Sequence, residues 1–173
     1  MELFENINVK TLSVNLFHQL DNEWMLITAG TQENFNTMTA SWGSFGILWN
    51  KPIAITFIRP QRYTLNFVEA NEYFTLSFFD NSYKSILNFC GQYSGKEVNK
   101  IAKTGLKPYF FNKNIITYEQ AMLVFECRKI YVDEFKTQNF VDKDIITKIY
   151  PTKDFHKIFI GSITNCYLKK NKE

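Results

Sequence analysis

Short apolar runs broken by polar loops dominate the chain, a rhythm of strands rather than of long helices. WMLITAG (24–30), TMTASW (37–42), PIAITFIRP (52–60) and YFTLSFF (73–79) read as strands, the third stopped by Pro60. Their β-branched and aromatic residues pack well on a pleated surface. The polar loop TQENFN separates the first two. Two longer strands are predicted over 121–135 and 156–168, with an irregular polar excursion, 136–155, between them.

A helical period surfaces in three places. QRYTLNFVEANE sets Tyr63, Phe67 and Ala70 on one face. DNSYKSILNFCGQYSG does the same with Tyr83, Leu87 and Cys90, with Asp80 or Ser82 as cap and Gly91 near the end. GKEVNKIAKTG predicts a small amphipathic helix closed by Gly105. About six or seven strands with two or three short helices fit a largely antiparallel barrel with helices over its ends. A doubly wound nucleotide fold is disfavoured, because no βαβ alternation with a Gly-rich first turn is present.

Composition narrows this further. The chain of 173 residues suits one domain, 1–173, with 17 Phe and 9 Tyr to fill a core or an interface. A net charge of +3 with interleaved signs does not point to nucleic acid, and the one dense basic cluster is the tail LKKNKE. Three cysteines, Cys90, Cys127 and Cys166, lack metal-ligand spacing and predict free thiols in a reducing compartment. No leader-like opening stands out and no apolar run nears the roughly 20 residues of a membrane span, so a cytoplasmic protein is expected.

Two segments carry candidate chemistry. In FIRPQRYTLNF the strand ends in Arg59, and Arg62, Tyr63 and Thr64 fall where a helix begins. Guanidiniums, a phenol, a hydroxyl and free helix-start amides together suit a phosphate. The alternative is that Arg59 and Arg62 pair with Glu69 or Glu72 on the surface. The second segment, FNTMTASWGSFGILWNKP (35–52), crowds hydroxyls, glycines and two tryptophans. Small side chains there let a planar ligand approach the backbone, whereas the plain reading is an edge strand.

Taken in order, N-x-M-T-A-S-W-G from Asn36, R-P-x-R-Y-T-x-x-F from Arg59, F-T-L-S-F-F from Phe74 and H-x-x-F-I-G-x-I from His156 resemble the flavin reductase-like family of FMN-binding split-barrel proteins. The resemblance runs from about residue 20 to about 168. It implies a mainly β fold, a Greek-key split barrel of about six antiparallel strands with short capping helices. It also implies a homodimer with FMN near the subunit interface. Thr39, Ala40, Ser41 and Trp42 would line the isoalloxazine, and Arg59, Arg62, Tyr63 and Thr64 would hold the phosphate and ribityl end. His156 resembles the family histidine on the nicotinamide side of the ring and is the candidate catalytic residue. On its own it would read as a capping or partly exposed residue.

CGQYSGKEVNK (90–100) resembles a further family motif, in which Ser94, Gly95 and Lys96 would fold over the flavin or meet a nicotinamide phosphate. Alone it would read as an ordinary helix–loop–helix connection. Cys90 has no visible cation beside it and reads as a small buried hydrophobe. Trp24 and Trp49 read as core or dimer interface, as do Phe45 to Trp49 more generally, and His18 as structural.

The implied activity is hydride transfer from NADH or NADPH to FMN, which accounts for the absence of an acid–base dyad or a nucleophile triad, and no metal site is expected. The alternative within redox chemistry is an FMN-containing electron carrier reduced by a protein partner. A non-catalytic barrel binding single-stranded nucleic acid is the reading from another class, and the weak charge argues against it.

Overall fold

The computed structural model describes residues 2–170, so the end of the basic tail, 171–173, lies outside the described residues. Eight strands form one antiparallel sheet. They are β1 (Phe4–Ile7), β2 (Met25–Gly30), β3 (Phe35–Ala40), β4 (Gly43–Leu48), β5 (Lys51–Ile58), β6 (Tyr73–Phe78), β9 (Leu123–Glu134) and β10 (Lys157–Lys169). β7 (Pro108–Asn112) and β8 (Ile115–Tyr118) make a separate hairpin. The order across the large sheet is β3-β2-β6-β9-β10-β5-β4. β1 lies beside β10 at Cys166–Lys169, beyond the stretch of β10 that pairs with β5.

That order forces a barrel. β3 and β4 are the two ends of the path, yet only Ser41 and Trp42 separate them in sequence. Two linking residues reach about 10 Å at most, so the sheet must curl until its edges almost meet. The curl encloses a core of Met25, Ile27, Ala54, Ile58, Phe74, Leu76, Phe125 and Phe159, all fully buried. Gly161 permits the tightest approach within it, since an added Cβ would lie 2.8 Å from both Cys127 Cβ and Phe74 Cζ.

Helices cover the barrel. α1 (Leu16–His18) runs into a wider π-turn, Gln19–Glu23. α2 (Thr64–Ala70) and α3 (Lys84–Gln92) pack on β2 and β3, α2 burying Leu65, Phe67 and Val68. Asp80 accepts the Ser82 amide at 2.8 Å and so starts the turn that leads into α3, as predicted. α4 (Lys100–Thr104) is capped by Asn99 and closed by Gly105 in the left-handed region, φ +69°. Only its second half is the helix expected over 95–105.

Four strands escaped prediction: β1, β4, β7 and β8. β4 reads GSFGIL, and two glycines hide its alternation. Even so, its Phe45 ring sits 5.0 Å from Phe125 in the core, as the packing role expected for it requires. Trp49 and Asn50 (φ 50° and 58°) form the two-residue turn into β5, the left-handed pair that suits a right-twisted hairpin. Trp49 is therefore not core; it is 58% exposed. The excursion 136–155 also holds a helix that was not foreseen, α5 (Asp144–Ile149).

Candidate functional site

The seam between β3 and β4 is a cleft of about 370 Å³, lined by Met38, Thr39, Ala40, Ser41, Trp42, Phe57, Arg59, Gln61, Arg62 and His156. A second cleft of about 250 Å³ shares Met38, Gln61 and Arg62 with it and adds Tyr63, Thr64, Ser94 and Gly95. A third, of about 510 Å³, continues past Asn36, Gly95 and Lys100 and includes Lys96. All twelve residues singled out in the sequence thus border one groove along β3.

The two arginines differ in what they already hold. Arg59 Nη1 lies 2.5 Å from Asp154 Oδ2, its Nη2 donates to the Ile149 carbonyl at 3.0 Å, and its guanidinium covers the Tyr150 ring. Arg62 has no carboxylate partner among the described residues. It donates to the Gly91 carbonyl at 2.5 Å and to the Thr39 carbonyl at 3.4 Å, and burial, then the charge of Arg59, pushes its pKa down. The surface pairing with Glu69 or Glu72 does not occur: Glu69 pairs with Lys157 and Glu72 with Arg128.

The small-residue floor is fixed from behind. Thr39 donates its hydroxyl to the Leu87 carbonyl, so that group is engaged with α3 rather than directed at the cleft. Asn36 donates to the Thr64 hydroxyl at 2.9 Å, tying β3 to the start of α2. At that start the amides of Arg62, Leu65 and Asn66 are bonded to backbone, while those of Tyr63 and Thr64 have no acceptor among the described residues. Gly95 crosses directly over Asn36, where a Cβ would meet Oδ1 at 2.1 Å. Lys96 sets its ammonium 5.5 Å from the Tyr63 ring.

His156 is neither a cap nor exposed. It is buried, 6% accessible, with Nδ1 2.8 Å from the Tyr150 hydroxyl and its ring 5.3 Å from that of Trp42. Burial, then Arg59, drives its pKa down to about 4, partly offset by Asp154. At neutral pH it is an uncharged imidazole at the wall of the cleft. Trp42, by contrast, stays 49% exposed at the mouth.

Sequence reading missed Tyr150 and Asp154, which lie in the excursion, and Asn36 and Lys100, which end or open quoted motifs. Lys100 is 5% exposed and donates to the carbonyls of Thr37 at 2.7 Å and Cys90 at 2.8 Å. Burial pushes its pKa down to about 8, against the opposing pull of Cys90. The only sequence signal was a lysine that ends the CGQYSGKEVNK motif, ten residues after Cys90, within a predicted small amphipathic helix. Cys90 therefore does have a cation beside it, contrary to expectation, but burial prevails and raises its thiol to about 11.

Residues 17–173 match the family model described as "Flavin reductase like domain". Among solved structures, flavoredoxin from Methanosarcina acetivorans is similar at 20% identity and a TM-score of 0.67, over 92% of this chain and 76% of that one. An FMN-binding protein from Thermus thermophilus, solved with bound 1-cyclohex-2-enone, aligns at 18% identity and 0.64, over 94% and 79%. Nitrilotriacetate monooxygenase component B from Bacillus cereus aligns at 14% and 0.67, over 95% and 81%. These likenesses establish the split-barrel fold. No curated protein matches the sequence.

Proposed function

Because the chain belongs to the flavin reductase-like domain family, we propose that its groove holds FMN and that the protein passes a hydride from NADH or NADPH to that flavin. The observation that carries this reading is the polarity gradient of the groove. At the β3–β4 seam stand Ala40, Ser41, Trp42 and a neutral His156, with Arg59 balanced by Asp154; Arg62 stands where this cleft joins the second, and Tyr63, Thr64 and Ser94 lie beyond it. FMN is graded in the same way, from a flat ring to a phosphate, so the residues fit it.

A bound flavin supplies the redox chemistry, accepting a hydride and passing electrons on. The chain's own residues bind, orient and exclude water. Ala40 and Ser41 let the ring approach the backbone, and Trp42 covers the mouth. Arg62, with the amides of Tyr63 and Thr64, would hold the phosphate, with Ser94, Gly95 and Lys96 lining the groove beside it. His156, uncharged and held by Tyr150 in the wall of the same cleft, would face the nicotinamide side of the ring. Two copies pair through the exposed end of β4 and the turn after it, where Ile47 and Trp49 are 64% and 58% accessible.

Anaerobic stopped-flow absorbance of the FMN-loaded protein tests the activity. Rapid bleaching by NADH or NADPH is expected. Absence of bleaching by both favours the electron-carrier reading, and failure to take up FMN removes both. Light scattering in line with size exclusion tests the dimer.

A further inference from the structure

The second cleft contains one buried cation, Lys100, a half-buried one, Arg62, and no buried anion. Lys100 and Arg62 both line it, and neither has a carboxylate within ion-pair distance among the described residues. Glu97, the acid in the same wall, is exposed and makes no such pair. What the two cations do hold is backbone: Lys100 takes the Thr37 and Cys90 carbonyls, Arg62 the Thr39 and Gly91 carbonyls. Cys90 and Gly91 lie in the last turn of α3, and Thr37 and Thr39 on β3. The cations therefore lace the C-terminal end of a helix, where positive charge is favoured, to an edge strand.

Carbonyl dipoles leave the net charge unbalanced. Burying a charge without a counter-charge is costly, and the two cations add mutual repulsion. Arg59, although nearby, is already neutralised by Asp154. An ammonium has three hydrogens, and Lys100 uses two on carbonyls.

We propose that Lys100 is a further cofactor-positioning residue and that it and Arg62, rather than Arg59, form the counter-charge for a phosphate monoester dianion in this cleft. The identity of the ligand as FMN rests on the proposed function; the demand for an anion rests on the two cations. Lys100 gives its third hydrogen to a phosphate oxygen and couples that end of the ligand to β3 through Thr37 and to α3 through Cys90. A monoester with charge near −2 at neutral pH matches the pair.

The test compares FMN with riboflavin, which lacks the phosphate, on wild type, Lys100→Met and Lys100→Arg. Lys100→Met should weaken FMN roughly ten- to a hundredfold and riboflavin less than about threefold, with Lys100→Arg retaining most of the preference. Inorganic phosphate should raise the wild-type Tm and compete with FMN but not with riboflavin. Equal loss for both flavins, an unchanged preference, or phosphate without effect would overturn the proposal. If Lys100→Met does not fold, the phosphate competition on wild type decides alone. Phosphate stabilisation in a protein that takes up neither flavin would support the anion site while removing the flavin reading.

Discussion

The Tyr150 hydroxyl lies 2.8 Å from His156 Nδ1, and both side chains are buried, so an excursion that sequence patterns left unassigned fixes the imidazole of the candidate site. Whichever of the two atoms donates, this contact favours one tautomer of the neutral ring. Tyr150→Phe should therefore give a mixture of tautomers in the ¹⁵N spectrum of His156. It should also cost about 1 kcal/mol or slightly more in urea unfolding, from the unpaired ring nitrogen. An unchanged ¹⁵N pattern would mean that something else sets the tautomer.

His156 also makes stability depend on pH. Its folded pKa, about 4, lies below the ordinary value near 6.5, so between these values the unfolded chain binds more protons. The contribution is fully present above about pH 6.5 and declines as pH falls through the window toward 4. Tm measured from pH 7.5 to 4.5 should fall, and His156→Gln should flatten that part of the profile. Asp154 acts below this window. Held under its usual range by Thr152, Gln61 and Arg59, it adds stability that is lost as pH drops below about 4.

Gly95 lies so close to Asn36 that a methyl group has no room, and Asn36 cannot swing away without breaking its bond to Thr64. Gly95→Ala should destabilise the fold by about 1–3 kcal/mol. Asn36→Ala in the same chain should recover part of that loss, giving a favourable coupling in a double-mutant cycle. Additive losses would place the strain elsewhere.

Arg62→Ala should weaken FMN by about 1.5–3 kcal/mol, roughly ten- to a hundredfold, with riboflavin little changed. Because Arg62 also holds the Gly91 and Thr39 carbonyls, the same variant should lower Tm. A parallel fall for both flavins would assign Arg62 to the scaffold alone.

Strands whose apolar residues recur without interruption, such as β2, β5 and β6, were legible in the sequence, as were the caps at Asp80 and Gly105. β4 was not, since Gly43 and Gly46 remove the side chains that mark alternation. The lining of the candidate site was legible where local motifs meet, at Thr39–Trp42 and Arg59–Thr64. Its supporting residues were not. Tyr150 and Asp154 lie about 90 residues from Arg59 and reach it only because β10 returns beside β5. Lys100 was not singled out, because nothing local reveals that two backbone carbonyls converge on it.

Where β3 gives way to β4, the hydrogen-bonded circuit of the barrel is open, and Ser41 and Trp42 are its clasp. A molecule lodged in that gap, as proposed for the flavin, would stand in for the missing rungs between the two edges. Its arrival should be felt around the circumference, with amide exchange slowing in both edge strands together, including β4 residues far from the clasp.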